Sequence, residues 1–327
     1  MAALLGPWIA AAGAALAAPV EPAAPAEAIA LHGRTMGTTY NVRYWHRGTT
    51  PAPVSGPELQ RRIDALLREF DLQMSTWRSD SEVARFNAAP PNEWFEVSPA
   101  TAAVVLRALE LHRQTEGASD VTIGPVHRLW GFGAGARETA GAEIPIPSDH
   151  ALAEARARVG AKHLQARSEP PALRKDRAGI EIDLSSLAAG YAVDLIVELL
   201  RGAEVHDAMV ELGGEVRAIG SRRDGKAWRI GIRSPPSAGP AIVEVVPLSD
   251  LALATSGDYH NVRTVGGARV AHIIDPRTGR PLPYGGLSVT VVAPTCFQAD
   301  GVATALCVMG LERGLAWCTE QNVAALF

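Results

Sequence analysis

The stretch Ala208-Met209-Val210-Glu211-Leu212-Gly213-Gly214-Glu215-Val216-Arg217-Ala218-Ile219 decides how the chain is built. Ala208 to Glu211 reads as a strand. Gly213-Gly214 can adopt the positive φ of a tight turn, and the chain returns as a strand to Ile219. Trp228, Ile230 and Ile232 alternate with polar neighbours just downstream, and further strands are expected at 241–247 and 251–254. Consecutive strands on short connections pair antiparallel, so an antiparallel sheet is expected. The sequence shows no internal repeat.

Upstream of the hairpin, Ile180-Glu181-Ile182-Asp183-Leu184-Ser185-Ser186 reads as a short strand running into a helix that extends towards Leu200. Free N–H groups at such a helix start can hold an anion, and Asp183 can equally be its cap. Two amphipathic helices lie earlier. One starts at Ser55 and Pro57 and carries Leu59, Ile63, Leu66, Leu67 and Phe70 on one face, to pack on the sheet. The other runs from the Ser98 cap to Gly117, a C′ glycine. The first packed element is expected as a strand at Thr38 to Trp45, because Tyr40, Val42 and Tyr44 alternate with polar residues. Thr35-Met36-Gly37-Thr38-Thr39 before it is either a strand-opening turn or a backbone lying against a ligand. Trp77, in a polar segment, is either half-buried on a loop or free to stack on a planar ring. Gly131, Gly133 and Gly135 have dinucleotide-fingerprint spacing, but no strand precedes them and no apolar helix follows, so that match is discounted. Residues 134 to 150 read as a surface loop.

Downstream, Thr255-Ser256-Gly257-Asp258-Tyr259-His260 reads as an oxygen-rich glycine turn. Ala271-His272-Ile273-Ile274-Asp275-Pro276-Arg277-Thr278-Gly279-Arg280-Pro281 then places a histidine, a carboxylate and an arginine around a Pro/Gly turn, followed by an apolar run from Leu287 to Ala293. Asp300 is expected to open a helix through Ala303, Leu306, Cys307 and Met309 that stops at Gly310. Asp300 and Thr304 then share a face, as two hard oxygen ligands for Mg²⁺ or as a cap with its i,i+4 neighbour.

The 327 residues suffice for one large domain or two of ordinary size, and 47% hydrophobic with 20% charged residues is the balance of a soluble globular protein. A formal charge of −4 leaves no cationic surplus for a phosphate backbone, which argues against nucleic acid as a partner. Cysteines stand only at 296, 307 and 318, an odd count with no C-x-x-C spacing, so neither a zinc knuckle nor a disulfide framework is expected. Cys307 and Cys318 lie in apolar helical surroundings, as small core residues. The Ala-rich run before Glu21 offers an A-x-A cleavage site after Ala17, although no Lys or Arg follows Met1. Residues 1–17 are therefore expected to be a signal peptide, 18–32 an Ala/Pro-rich linker and 33–327 a single domain. No cysteine follows the signal run, so a lipid-anchored N-terminus is not expected.

Eight segments, in this order, resemble the ApbE family of FAD:protein FMN transferases. They are Thr35-Met36-Gly37-Thr38-Thr39-Tyr40; Ser75-Thr76-Trp77 with Asp80-Ser81-Glu82 and Arg85-Phe86-Asn87; Asp120-Val121-Thr122-Ile123-Gly124-Pro125 with Trp130-Gly131-Phe132-Gly133; and Asp183-Leu184 with Gly190-Tyr191-Ala192-Val193-Asp194. Gly213-Gly214, Thr255-Ser256-Gly257-Asp258-Tyr259, His272 through Gly279, and Ala299-Asp300 with Ala303-Thr304 complete the set. The resemblance covers about residues 33 to 317.

The resemblance implies an α+β fold of mixed, largely antiparallel sheets flanked by helices, and an exported, periplasmic or outer-face Mg²⁺-dependent enzyme. Such an enzyme cuts the pyrophosphate of FAD and joins FMN through a phosphoester to a threonine of an acceptor flavoprotein subunit, releasing AMP. By the same resemblance Met36, Trp77, Ala118, Ser119, Asp120, Asp183, Ala189, His272 and Ile273 form the FAD site. Ser186, Asp300 and Thr304 hold Mg²⁺, and His272 with Asp300 carries the chemistry, His272 as general base for the acceptor hydroxyl. Ser119 replaces a usual phenylalanine, Ala189 a frequent lysine and Glu215 a frequent aspartate, and the chain stops at Phe327, before the family's usual final strand. The alternatives are an FAD pyrophosphatase giving FMN and AMP, and an FAD-binding protein without turnover.

Overall fold

The computed structural model describes residues 28–46, 54–133, 144–235, 239, 241–259 and 261–327. The expected signal peptide, most of the linker, residues 134–143 of the expected loop and His260 lie outside them. In chain order, β1 (Ile29–Thr35) and β2 (Thr38–Trp45) lead to α1 (Gly56–Met74), α2 (Glu82–Ala88), β3 (Phe95–Glu96) and α3 (Pro99–Gln114). Then come α4 (Gly124–Leu129), α5 (Asp149–Arg156), β4 (Leu164–Ser168), β5 (Pro171–Lys175) and α6 (Ala188–Gly202). The hairpin β6 (Asp207–Leu212) and β7 (Glu215–Ile219) precedes β8 (Trp228–Arg233), β9 (Ile242–Leu248) and β10 (Leu251–Gly257). Last are β11 (Val262–Val265), β12 (Ala268–Asp275), β13 (Arg280–Pro283), β14 (Ser288–Ala293), α7 (Cys296–Gln321) and β15 (Ala324–Leu326).

A seven-stranded sheet in the order β1-β2-β6-β7-β10-β14-β15 forms the frame, and every pair in it is antiparallel. The Gly213-Gly214 hairpin sits near its centre, with Leu212 opposite Glu215. Alternation along the strands gives the sheet two apolar faces. Tyr40, Val42, Val210, Leu212, Ala252, Ala254, Val289 and Val291 enter the main core with α1, α3, α6 and α7. On the other face Val216, Ala218 and Leu253 meet Trp228, Ile232 and Leu248 of the β8–β9 ribbon. A third cluster joins Val126, Trp130 and Phe132 to Ala155, Val265 and Ile274. Burying a side chain of this size stabilises by about 1.5–3 kcal/mol, so the three clusters hold the layers together.

The expected caps are present: Ser55 Oγ accepts from the Glu58 N–H, and Ser98 Oγ from that of Thr101. Several expectations are corrected. The first element is β1, not β2, and it enters the sheet at Ile29, within the stretch expected to be linker. Its sequence, IALHGRT, gives little strand signal, and its identity comes from pairing with β2. The two strands join through Met36 and Gly37 with φ of 46° and 77°, a left-handed pair that suits a tight hairpin. Thr255 to Gly257 belong to β10 rather than to a turn. The expected 134–150 loop gives way to α5 at Asp149, capped by Ser148. α7 starts at Cys296, so Asp300 lies in its second turn and does not open it, while Gly310 (φ 74°, ψ 175°) interrupts the helix where a stop was expected. Thr295 caps α7 locally, and Asp194 of α6 accepts from the N–H groups of Cys296 and Phe297.

No ladder forms at 180–183. Asn87, at the end of α2, stands in for a neighbouring strand: its side chain accepts from the Ile182 N–H at 2.8 Å and donates to the Ile182 carbonyl at 2.9 Å. Lys175, buried in β5, donates to the carbonyls of Phe86, Asn87 and Ile180. A buried ammonium is retained only when so paired, and here it clamps α2 to the segment leading to Asp183.

Candidate active site

Between the hairpin turn, β8, β12 and the start of α7 lies a cavity of about 960 Å³, at the upper end of the ~300–1,000 Å³ common for ligand pockets. Trp77, Ala118, Ser119, Asp120, Asp183, Ser186, His272, Ile273, Asp300 and Thr304 all line it. Met36 and Ala189 do not; both pack against the main core. The structure thus brings together most of the expected site from five separate stretches of chain.

At one end, oxygen atoms dominate. Asp300 is buried, and its Oδ2 accepts the Gly190 N–H from the first turn of α6 at 3.0 Å. The two helices approach so closely there that a Cβ on Gly190 would lie 2.5 Å from the Cys296 carbonyl oxygen and 2.8 Å from Asp300 Cβ. Glycine is required at this crossing. The Ser256 and Thr304 hydroxyls are hydrogen-bonded at 3.0 Å, and those of Thr255 and Thr290 at 2.8 Å. Burial and the nearby Glu215 charge push the Asp300 carboxyl well above the ordinary range. Burial also lifts Glu215, to about 7, with the Glu211 charge adding to it.

The lining donors at this end are carboxylates and hydroxyls, and among the described residues no cysteine lines the cavity, the Cys307 thiol donating to the Ser256 carbonyl from behind it. A buried carboxyl and a half-buried one that resist ionising together, beside alcohols, form the environment of a hard cation such as Mg²⁺. Asp300, Thr304 and Ser186 therefore fit the ion expected of them. Among the described residues, no cluster of three or more His, Cys, Asp or Glu side chains offers a different kind of metal centre.

At the other end Asp183 is fixed from three sides. Its N–H donates to the Val121 carbonyl at 2.7 Å, its Oδ1 accepts from the Ser185 N–H, and its Oδ2 accepts from His127 Nδ1 at 2.9 Å. Burial alone would raise its pKa, but the hydrogen bond and charge of His127 outweigh it and hold the carboxyl at about 2. Asp120 is committed to the fold: Oδ1 accepts from the Thr122 N–H and hydroxyl, Oδ2 from the Ala161 N–H. Its contribution to a ligand site is thereby to shape the 118–123 turn. Trp77 is 49% exposed on the cavity rim. His272 donates its backbone N–H to Asn261, and its ring sits edge-on to Phe132 with centroids 6.5 Å apart.

Three contributors have no role that the sequence assigns. Phe132 belongs to the Trp130-Gly131-Phe132-Gly133 block that carries the resemblance, and His127 lies between that block and the one ending at Pro125. A histidine's value depends on a carboxylate 56 positions away, which no local pattern reveals. Asn87 belongs to the Arg85-Phe86-Asn87 block of the resemblance, but nothing local indicates that it replaces a strand.

The fold and cavity define an antiparallel α+β body whose pocket joins an oxygen-rich end of carboxylates and hydroxyls to an aromatic, carboxylate-anchored end. Comparison with known proteins is specific. The profile of the ApbE family matches residues 36–327, and the chain belongs to the ApbE family. It is 44% identical over 302 residues to an FAD:protein FMN transferase of Vibrio cholerae, covering 92% of this chain and 87% of that one. The solved flavin transferase ApbE from Vibrio cholerae superposes with a TM-score of 0.81 at 42% identity over 92% of this chain and 93% of that chain. The apo flavinyl transferase ApbE of Pseudomonas stutzeri gives a TM-score of 0.81 at 36% identity, covering 92% and 90% of the two chains. The matched relatives are transferases.

Proposed function

We propose that the chain is an FAD:protein FMN transferase: it cleaves FAD between its phosphates, joins FMN to a threonine hydroxyl of an acceptor redox protein and releases AMP. The observation that carries this reading is the cavity itself, which places Asp300, Thr304 and Ser186 in one space with Trp77, Asp183 and His272. The family and the names of its relatives support it.

Asp300, Thr304 and an oxygen of Ser186 would hold a Mg²⁺ ion, which would neutralise charge building on the pyrophosphate. The protein's own part is placement. The Gly190 N–H fixes the Asp300 carboxylate, and the Ser256–Thr304 bond fixes the Thr304 hydroxyl. Trp77 offers a face to a planar ring, while Asp183, held by His127, presents a permanently ionised acceptor to ring N–H or hydroxyl groups. His272 accepts the proton of the acceptor threonine as its oxygen attacks phosphorus, an imidazole being suited to that exchange near neutral pH. Residues 1–17 support export of the enzyme, so the acceptor would be met outside the cytoplasm.

Incubation with FAD and Mg²⁺, with and without a protein bearing the acceptor threonine, tests the reading. Fluorescent, covalently labelled acceptor is expected. FMN and AMP formed equally without acceptor would make the chain a hydrolase, and FAD recovered intact would remove both enzymatic readings.

A further inference from the structure

A second cavity, of about 620 Å³, lies on the ribbon side of the main sheet and continues from the active site along the same strands. On β2, Thr39 and Asn41 line the first cavity and Arg43 and Trp45 the second; on β6 the division falls between Glu211 and Met209, and on β8 between Ile230 and Arg229. At ~3.3 Å per residue, Arg43 stands only about 7 Å along the strand from Asn41. The floor is apolar, Trp45 stacked on Trp228 with centroids 4.9 Å apart. The walls carry Arg43, Arg222, Arg223 and Arg229 against one carboxylate, Asp224.

That carboxylate is already used, accepting from Arg222 and from the Lys226 N–H. Glu211, on the border with the active site, is taken by Asn41 and the Gly214 N–H. Among the described residues, no carboxylate forms an ion pair with Arg43, Arg223 or Arg229. A concentration of unpaired guanidinium groups on a protein of net charge −4 is a local feature and not a general surplus.

Resting on the transferase reading, we infer that this groove docks the acceptor protein through an acidic segment close to its target threonine. Charge complementarity identifies the occupant, and continuity with the active site explains its position, since β2, β6 and β8 each line both cavities. Guanidinium groups take carboxylates in bidentate fashion, which fixes register as well as attraction. The residues expected to hold FAD line the other cavity, which leaves the groove to the acceptor.

The test uses two peptides with the same acceptor threonine, one flanked by an Asp-Asp-Glu run and one by Asn-Asn-Gln, and compares the full chain with the triple variant Arg43→Glu, Arg223→Glu and Arg229→Glu. The wild type is expected to label the acidic peptide with a KM about tenfold or more below that of its neutral twin, a gap that shrinks at high salt. The triple variant should lose the preference while its KM for FAD stays unchanged. Equal KM values for the peptides in wild type, a triple variant that keeps the preference, or a loss of FAD affinity would each overturn the inference. So would variant-sensitive binding to phosphatidylglycerol vesicles with acceptor kinetics untouched, which would make the groove a membrane contact. A wild type that labels neither peptide removes the transferase reading itself, and the inference falls with it, a result told apart by that first arm.

Discussion

The Gly190 N–H donates to Asp300 Oδ2 across 3.0 Å, and this bond ties the first turn of α6 to the second turn of α7. One residue thereby supplies both a donor and an absence of side chain. Asp194, one turn further along α6, accepts from the first N–H groups of α7 and pairs with Arg217 of β7 at 2.7 Å. The placement of the expected Mg²⁺ carboxylate is thus set by a helix crossing locked at two points, and not by α7 alone.

Gly190→Ala tests the crossing. Alanine gains up to about 1 kcal/mol of helix propensity, but its Cβ meets the Cys296 carbonyl at 2.5 Å, and overpacking of this kind costs about 1–3 kcal/mol. The variant should melt at lower temperature and lose turnover out of proportion to that loss. Full activity would show that the site tolerates a shift of α7.

Asp300→Asn keeps an oxygen for the Gly190 N–H and removes the charge. Turnover should fall by about 10³-fold or more, while the melting temperature holds, since an awkward buried carboxylate has been replaced by a neutral group. Asp300→Ala should also abolish Mg²⁺-dependent turnover. Unchanged rates in either variant would remove Asp300 from the metal site.

Asn87→Ala deletes both hydrogen bonds to Ile182 and leaves its N–H and carbonyl buried without partners. Each such orphan costs about 1–3 kcal/mol, so urea unfolding should show a loss of roughly 2–5 kcal/mol, accompanied by weaker FAD binding as the Asp183 segment loosens. FAD affinity at the wild-type level would separate the strap from the site.

The Asp183–His127 pair gives a pH signature. Asp183 titrates at about 2 in the folded chain against ~3.9 unfolded, so its contribution is complete above about pH 4 and is lost as pH falls through 2. His127→Gln should lower stability at pH 5 by on the order of 2 kcal/mol, and the difference from wild type should close between pH 4 and 2. Parallel stability curves over that range would show that His127 does not hold the carboxylate.

What the sequence revealed and what it hid follow from the range of the interactions. The Gly213-Gly214 hairpin, the Ser55 and Ser98 caps and the break at Gly310 are local, and each is where its residues placed it. The strand expected at 180–183 alternates correctly, but its hydrogen bonds go to an asparagine side chain about 95 positions away. The start of α7 was misread by one turn because Asp300 has the chemistry of a cap, while the caps in use are Thr295 and the distant Asp194. Within the site, spacing put Asp300 and Thr304 on one helix face but left a metal pair and a cap with its neighbour both open; their site roles, like those of Trp77, Asp183 and His272, entered through family resemblance. The Asp183–His127 contact and the glycine crossing needed three dimensions.

His272→Ala should slow transfer by about 10²–10⁴-fold and leave FAD affinity in place, as loss of a general base does. Collapse of FAD binding with the chemistry intact would make His272 a binding element.

The account stands most directly on the stoichiometry of AMP release. With FAD, Mg²⁺ and acceptor present, AMP set free should match flavin fixed to the acceptor, mole for mole, and Asp300→Asn should form neither. AMP appearing together with free FMN while the acceptor stays unlabelled would contradict it.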